Sequence, residues 1–305
     1  MQQPTWHRLA VIDLGTNTFH LLITDVNSIS LEVKILYKER KYVKLAENGI
    51  EHIGRDPYLR GLDAMVHFAN VIEVHKVSKV QAIGTAALRT ANNGLDFVNE
   101  IYQLTGVQIE LISGMEEARL IQKGVQWAVN IKDERFLIMD IGGGSVEFII
   151  SDNDQILWCY SFPIGVSVLY NTFQHSDPIS SSDIKVLEDY LGHQLKELKQ
   201  ALAKYNTQYL IGASGSFDVI ESMLKFERVE KNSITIPIEK CYEIYDRLIT
   251  TTVNERLNIE HLPPERAEMM AVALVLIRYV VDSLHMNKLT ISDFALKEGI
   301  LREML

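Results

Sequence analysis

The sequence predicts a duplicated α/β protein of two lobes, and two observations carry that prediction. The first is a phrase written twice: residues 11–25 read VIDLGTNTFHLLITD and residues 138–152 read IMDIGGGSVEFIISD. Aligned without a gap, Asp13 falls on Asp140, Gly15 on Gly142, Thr18 on Ser145 and Asp25 on Asp152. The second is that strand signals come first after each copy and then alternate with helical stretches, the pattern of an α/β lobe.

Each copy reads as a strand ending in Asp, a tight Gly/Thr/Ser turn and a second apolar strand, which is a β-hairpin. In the first half, strands are expected at 9–14, 19–25 and 31–40, then a loop at 47–57 and a helix near 58–75. A short strand entering a turn (81–90), a helix (95–105) and a strand (107–112) complete it. The stretch 113–129 is a marked helix, with Ser113 and Glu116 in an S-x-x-E capping box and an apolar stripe of Ala118, Leu120, Ile121, Val125 and Ala128. The second half repeats the plan: hairpin, strand 155–162, helices 166–173 and 181–205, strand 208–214, helices to Leu284 and a closing strand-turn-helix at 289–305. No low-complexity segment or flexible linker separates the halves, so a packed hinge is expected.

Glycines in such turns give access to positive φ and close ligand approach, while successive N–H groups and a hydroxyl form an anion-binding concavity. An Asp just before the turn is placed to hold a divalent cation against the same phosphate. Two facing hairpins would clamp a phosphate chain, although a single D-x-G is also ordinary turn chemistry. Glu116 and Glu117 open the linking helix. With Glu116 committed to the capping box, Glu117 projects elsewhere and could take a proton from an attacking water, the need of phosphoanhydride hydrolysis. A solvated first-turn Glu is the plainer alternative. Arg89 follows a strand-end turn and offers forked donors to phosphate. The turn GASGS (212–216) suits backbone contacts to phosphate but lacks the last glycine of a nucleophile elbow. Arg119, Glu147 and Lys297 are candidate supporting charges, with simple ion pairing as the alternative.

The bulk numbers exclude other classes. At 305 residues, 47% apolar and 23% charged, the chain is globular and long enough for two domains. Cys159 and Cys241 have no metal-type spacing, so a reducing, cytoplasmic setting is expected. The start MQQPTWHRLA lacks the charged and apolar regions of a signal peptide, and the apolar run 269–277 is too short for a bilayer. A net charge of −10 disfavours nucleic-acid or anionic-membrane partners. A polyanionic substrate would need local attraction, which a Debye length of about 8–10 Å permits. The candidate stripe is Lys38, Arg40, Lys41 and Lys44, unless it is only a charged strand edge. No H-x-x-x-H and no P-loop sequence occurs.

The segments AVIDLGTNTFHLLITDV, AIGTAALRTANN, LISGMEEARLIQKGV, FLIMDIGGGSVEFII, LIGASGSFDVI and ISDFALKEGIL, in that order, resemble the signatures of the exopolyphosphatase/guanosine pentaphosphate phosphohydrolase (Ppx/GppA) family. The resemblance implies a two-lobed actin-like, duplicated ribonuclease H-like α/β fold, with residues 1–118 plus 293–305 as one lobe and 119–292 as the other. It implies hydrolysis of terminal phosphate from polyphosphate or of the 5′ γ-phosphate from guanosine pentaphosphate, with Mg²⁺ or Mn²⁺. It places phosphate binding on Asp13, Gly15, Asn17, Thr18, Arg89, Gly142, Gly143, Gly144 and Ser145, to which the small-residue turn adds Gly212, Ser214 and Gly215. The base falls on Glu117 and the metal on Asp140 with Asp13, supported by Glu147 and Arg119. Phe294 and Lys297 depart from the family's usual glycine and arginine. The long members carry a further helical domain beyond the point matching Leu305, so a short form and distributive cleavage are expected. Guanosine pentaphosphate is the alternative substrate, and an actin-fold ATP-dependent kinase the alternative enzyme. A homodimer is compatible with the sequence.

Overall fold

The computed structural model describes residues 5–30, 32–131, 134–152 and 155–305. The expected start of the third strand at Leu31 lies outside them. The chain divides into two compact units, Met1–Gly124 with Leu296–Leu305, and Val125–Ala295. The division falls inside the linking helix at Gly124 and returns at Leu296, a few residues later than the boundaries at 118 and 293 expected from the sequence.

The first unit runs β1 Trp6–Leu14, β2 Thr18–Asn27, β3 Val33–Tyr42, α1 Arg55–Val74, β4 Lys79–Gly84, α2 Ala86–Thr90, α3 Gly94–Thr105, β5 Ile109–Leu111 and α4 Gly114–Ala128. Its sheet has the order β3-β2-β1-β4-β5. β1 and β2 read as near-continuous apolar runs because they lie inside the sheet, whereas the edge strand β3 is largely exposed. Phe19, Met65, Phe68, Phe97 and Ile101 fill the core between the sheet and α1 and α3. Gly106, at φ 70°, ends α3 in the left-handed region that glycine tolerates best.

The second unit runs β6 Arg135–Ile141, β7 Val146–Asp152, β8 Gln155–Phe162, α5 Val166–Phe173, α6 Ser181–Gln194, α7 Lys196–Lys204, β9 Tyr209–Ala213, α8 Gly215–Leu224, β10 Ser233–Ile236, α9 Glu239–Ile249, α10 Val253–Arg256, α11 Pro264–Ala267, α12 Met270–Ser283 and β11 Lys288–Ser292. Its sheet has the order β10-β11-β9-β6-β7-β8. α12 is apolar nearly all round because it is buried nearly all round, against α5, α6 and α9. The single helix expected over 181–205 is two, broken at the buried Leu195. β10 was not foreseen: four residues at a sheet edge give too little alternation to register.

Read outward from the hairpin, β8-β7-β6-β9-β11 repeats β3-β2-β1-β4-β5, with two antiparallel pairings followed by parallel ones. The repetition reaches finer detail than the duplicated phrase. Bulges fall at Ile23/Thr24 and at the matching Ile150/Ser151. Arg8 pairs with Asp25 at 2.7 Å, and the matching Arg135 with Asp152 at 3.5 Å. The Ser78 and Thr207 hydroxyls donate to the carbonyls of Arg8 and Arg135. This is a ribonuclease H-like sheet built twice, the actin-like α/β fold.

The last helix, α13 Leu296–Glu303, belongs to the first unit and packs on β1. A Cβ on Gly299 would strike the Leu120 carbonyl, so glycine allows α13 to approach α4. Arg119 and Lys123 of α4 both pair with Glu303.

Candidate active site

The two hairpin turns close in the same way. The Gly15 amide donates to the Thr18 carbonyl at 3.1 Å, and the Gly142 amide to the Ser145 carbonyl at 3.0 Å. A Cβ at either glycine would lie 2.9 Å from that oxygen. Among the described residues the positive-φ glycines are Gly49 and Gly106, so none of Gly15, Gly142, Gly143 or Gly144 is left-handed. Of the two properties the sequence offered for these glycines, positive φ is not used, and at Gly15 and Gly142 the missing Cβ is what the turn needs.

The turn carbonyls are braced by the segments that follow. Val43 and Lys44 donate to the Asn17 carbonyl and Leu45 to that of Thr16. In the second unit Val166, Ser167 and Gly165 donate to the carbonyls of Gly142, Gly143 and Gly144. A Cβ on Gly165 would collide with the Gly143 and Gly144 backbone, which has no flexible end to move aside. Gly165→Ala is therefore expected to destabilise the protein by at least the ~1–3 kcal/mol of an overpacked site. In a thermal melt that is a fall of about 2–4 °C per kcal/mol.

The turns differ in the charge of the rows beside them. Asp13 lies opposite His20, which lies opposite Arg40. Asp140 lies opposite Glu147, which lies opposite Ser161. Directly opposed residues share a face of the sheet, so the first row mixes one carboxylate with basic groups and the second holds two carboxylates. Glu147 is 1% exposed and accepts from the Ser145 hydroxyl at 2.7 Å and the Ser161 hydroxyl at 2.6 Å. Thr18 matches Ser145 but faces no matching glutamate, and its buried hydroxyl has no hydrogen-bond partner among the described residues.

Among the described residues no group of three or more His, Cys, Asp or Glu is arranged to hold a metal ion. Asp140 and Glu147 supply a pair of buried carboxylates, a donor set that suits a magnesium-type ion completing its shell with water and substrate oxygens. The row around Asp13 suits an anion better.

Glu117 and Arg89 come together in the first unit. Glu117 is only 6% exposed, and its Oε2 lies 3.4 Å from Arg89 Nη1. That nitrogen also donates to the Ile112 carbonyl at 2.7 Å, which fixes the guanidinium. The sequence treated the two separately. They meet because β4 and β5 are parallel neighbours, so the segments leaving their C-terminal ends converge.

Glu116 makes half of the expected capping box: its amide donates to the Ser113 hydroxyl at 3.2 Å. Its carboxylate accepts from Arg119 Nε at 2.8 Å and Nη2 at 2.6 Å rather than reaching back to Ser113. The Arg119 guanidinium accordingly holds Glu116 below the usual carboxylate range. Arg119, expected to support the site, is thus engaged by Glu116 and Glu303.

The turn after β9 uses its glycines for packing. A Cβ on Gly212 would enter the Phe217 ring, and one on Gly215 the Arg266 guanidinium. Ser214 donates to Asp140 Oδ1. Arg266 gave no signal in the sequence, because its approach to Gly215 joins distant segments. Lys297 pairs with Glu298 at 3.2 Å, and Phe294 packs edge-on against Trp127.

The basic stripe divides between the faces of β3. Lys38 and Arg40 lie with Leu22 and His20, while Lys41 lies with Phe19 and pairs with Glu39 at 2.9 Å. Burial pushes Glu39 up, but hydrogen bonds from Lys41, Tyr37 and His67 outweigh it and bring its pKa to about 2. Lys41 is therefore held by a carboxylate that stays ionised.

Duplicated sheets, each opening on a braced glycine turn, define a protein of the actin-like fold, and its first unit sets a buried carboxylate beside an arginine. The chain belongs to the Ppx/GppA phosphatase family, whose pattern matches residues 22–305. The crystal structure of an exopolyphosphatase from Cytophaga hutchinsonii is 36% identical, with a TM-score of 0.93 over 98% of this chain and 97% of that one. A Ppx/GppA family member from Aquifex aeolicus is 20% identical, with a TM-score of 0.81 over 98% of each chain. An exopolyphosphatase-like protein is 22% identical, with a TM-score of 0.90 over 98% of each chain. These last two share the fold. Among the described residues no helix is long and apolar enough to cross a membrane.

Proposed function

We propose that this protein hydrolyses the terminal phosphoanhydride of inorganic polyphosphate and releases orthophosphate. The observation that carries the reading is the buried Glu117 carboxylate set against Arg89 in a chain that is 36% identical to an exopolyphosphatase. Glu117 accepts the proton of the attacking water as a P–O bond forms, the bridging P–O bond breaks and the shortened chain leaves as an oxyanion. Arg89, steadied by Ile112, presents its remaining N–H donors to phosphate oxygens. The turn at Gly15 to Thr18 binds phosphate with its backbone and the buried Thr18 hydroxyl, which has no hydrogen-bond partner among the described residues. Asp140 and Glu147 would hold a divalent cation, Mg²⁺ or Mn²⁺, which would supply positive charge to phosphate oxygens.

The test is phosphate release measured in parallel on long polyphosphate, tripolyphosphate, guanosine pentaphosphate and ATP, each with Mg²⁺ and with EDTA. Metal-dependent release from both polyphosphates, well above that from the nucleotides, is expected. Faster release from guanosine pentaphosphate would replace the substrate, and phosphate transfer from ATP to an acceptor would replace the enzyme class. With Lys41 engaged by Glu39 and a net charge of −10, exposed contacts of at most about 1 kcal/mol each must retain the chain. Partial digests are therefore expected to show intermediate lengths on a gel. Only full-length polymer and free phosphate would demonstrate processive cleavage.

A further inference from the structure

Ser214 occupies a backbone conformation that side chains avoid. Its φ of 72° and ψ of 175° fall in a region populated almost only by glycine. Lys225, at the other end of the same helix, also has positive φ, but with ψ 41° it sits in the ordinary left-handed well of a helix end.

Ser214 is the N-cap of α8, a position where serine normally has an extended φ and its hydroxyl accepts a first-turn amide. Ser180 does this for α6, at φ −78°, accepting from the Asp183 amide at 3.1 Å. Ser214 does not cap. Its carbonyl accepts from Phe217 at 3.0 Å, while its hydroxyl donates to Asp140 Oδ1. β9 and β6 are parallel neighbours with Ala213 opposite Asp140, so Ser214 stands one residue past the strand end beside that carboxylate. Glycine would adopt the same backbone without strain. What serine adds is the hydroxyl, and the hydroxyl lies on Asp140.

We infer that Ser214 is a positioning residue for the divalent cation: it fixes the plane of the Asp140 carboxylate, and its strained backbone is what aims the hydroxyl there. The inference rests on the assignment of the cation to Asp140. Groups that orient a metal ligand commonly change metal affinity or activity about 10- to 100-fold when removed.

The experiment compares the wild type with Ser214→Gly, Ser214→Ala and Asp140→Asn. Mn²⁺ affinity is read by water-proton relaxation in the presence of inorganic phosphate, Mg²⁺ dependence by phosphate release from tripolyphosphate, and stability by thermal melting. Ser214→Gly is expected to melt about 2–4 °C higher as strain is released, yet to bind Mn²⁺ about 10- to 100-fold more weakly. Ser214→Ala should lose metal affinity without the gain in melting temperature. If Asp140→Asn weakens Mn²⁺ binding and Ser214→Gly does not, the role of Ser214 is overturned and the cation assignment stands. If Asp140→Asn leaves Mn²⁺ binding unchanged, the cation assignment fails and this inference with it. A lower melting temperature for Ser214→Gly would show the hydroxyl to be a structural tie, which also overturns it.

Discussion

Glu117→Gln is expected to slow phosphate release by about 10²- to 10⁴-fold, the usual consequence of removing a general base. The substitution keeps the shape of the side chain and removes its ability to take a proton. Arg89 retains its bond to the Ile112 carbonyl and is partly exposed, so the guanidinium is not stranded when its carboxylate partner becomes an amide. The loss should therefore appear in turnover at saturating substrate, with a folded protein by circular dichroism. Glu116→Gln is the control from the same helical turn. It weakens the pair with Arg119 at a partly exposed site, where about 0–1 kcal/mol of stability is at stake, and its amide still meets the Ser113 hydroxyl. Equal losses of activity in the two variants would refute the division of roles between neighbouring glutamates.

The opposite orientations of the two glutamates were legible in the sequence, but for an incomplete reason. The capping-box pattern separates Glu116 from Glu117, and burial does place Glu117 inward and Glu116 outward. The pattern could not show that Arg119, three residues on, competes for the Glu116 carboxylate and wins it. The hairpins were legible because a duplicated phrase fixes register: with side chains alternating at period two, aligning Asp13 with Asp140 aligns every facing pair along both strands. The same alignment sets His20 against Glu147, a difference in the chemistry of the two turns that the letters already carried. It becomes interpretable only with the cross-strand partners, Arg40 beside one and Ser161 beside the other.

Other features depend on contacts that no local pattern encodes. Arg89 meets Glu117 through the convergence of adjacent parallel strands, and Arg266 reaches Gly215 from a later helix. A glycine's residue type does not say which of its two properties is used. At Gly106 it is the left-handed φ, whereas at Gly15, Gly142 and Gly165 it is the absence of a Cβ. The stripe from Lys38 to Lys44 is continuous as text and divided in space, since neighbours on a strand point to opposite faces.

Asp140→Asn is expected to raise the Mg²⁺ concentration for half-maximal rate beyond the about 10- to 100-fold typical of groups that merely support a metal ligand. An amide oxygen can accept the Ser214 hydroxyl as the carboxylate does, so the orientation of the side chain is preserved and the charge that holds a hard cation is lost. Asp13→Asn separates the two turns. Its row contains His20 and Arg40, so removing its charge should alter substrate affinity more than metal dependence. The measurement is a pair of Mg²⁺ titrations of phosphate release at fixed, saturating tripolyphosphate. A larger metal shift in Asp13→Asn than in Asp140→Asn would place the cation on the first hairpin, where basic neighbours oppose it. The electrostatic reading of the two rows would then be wrong.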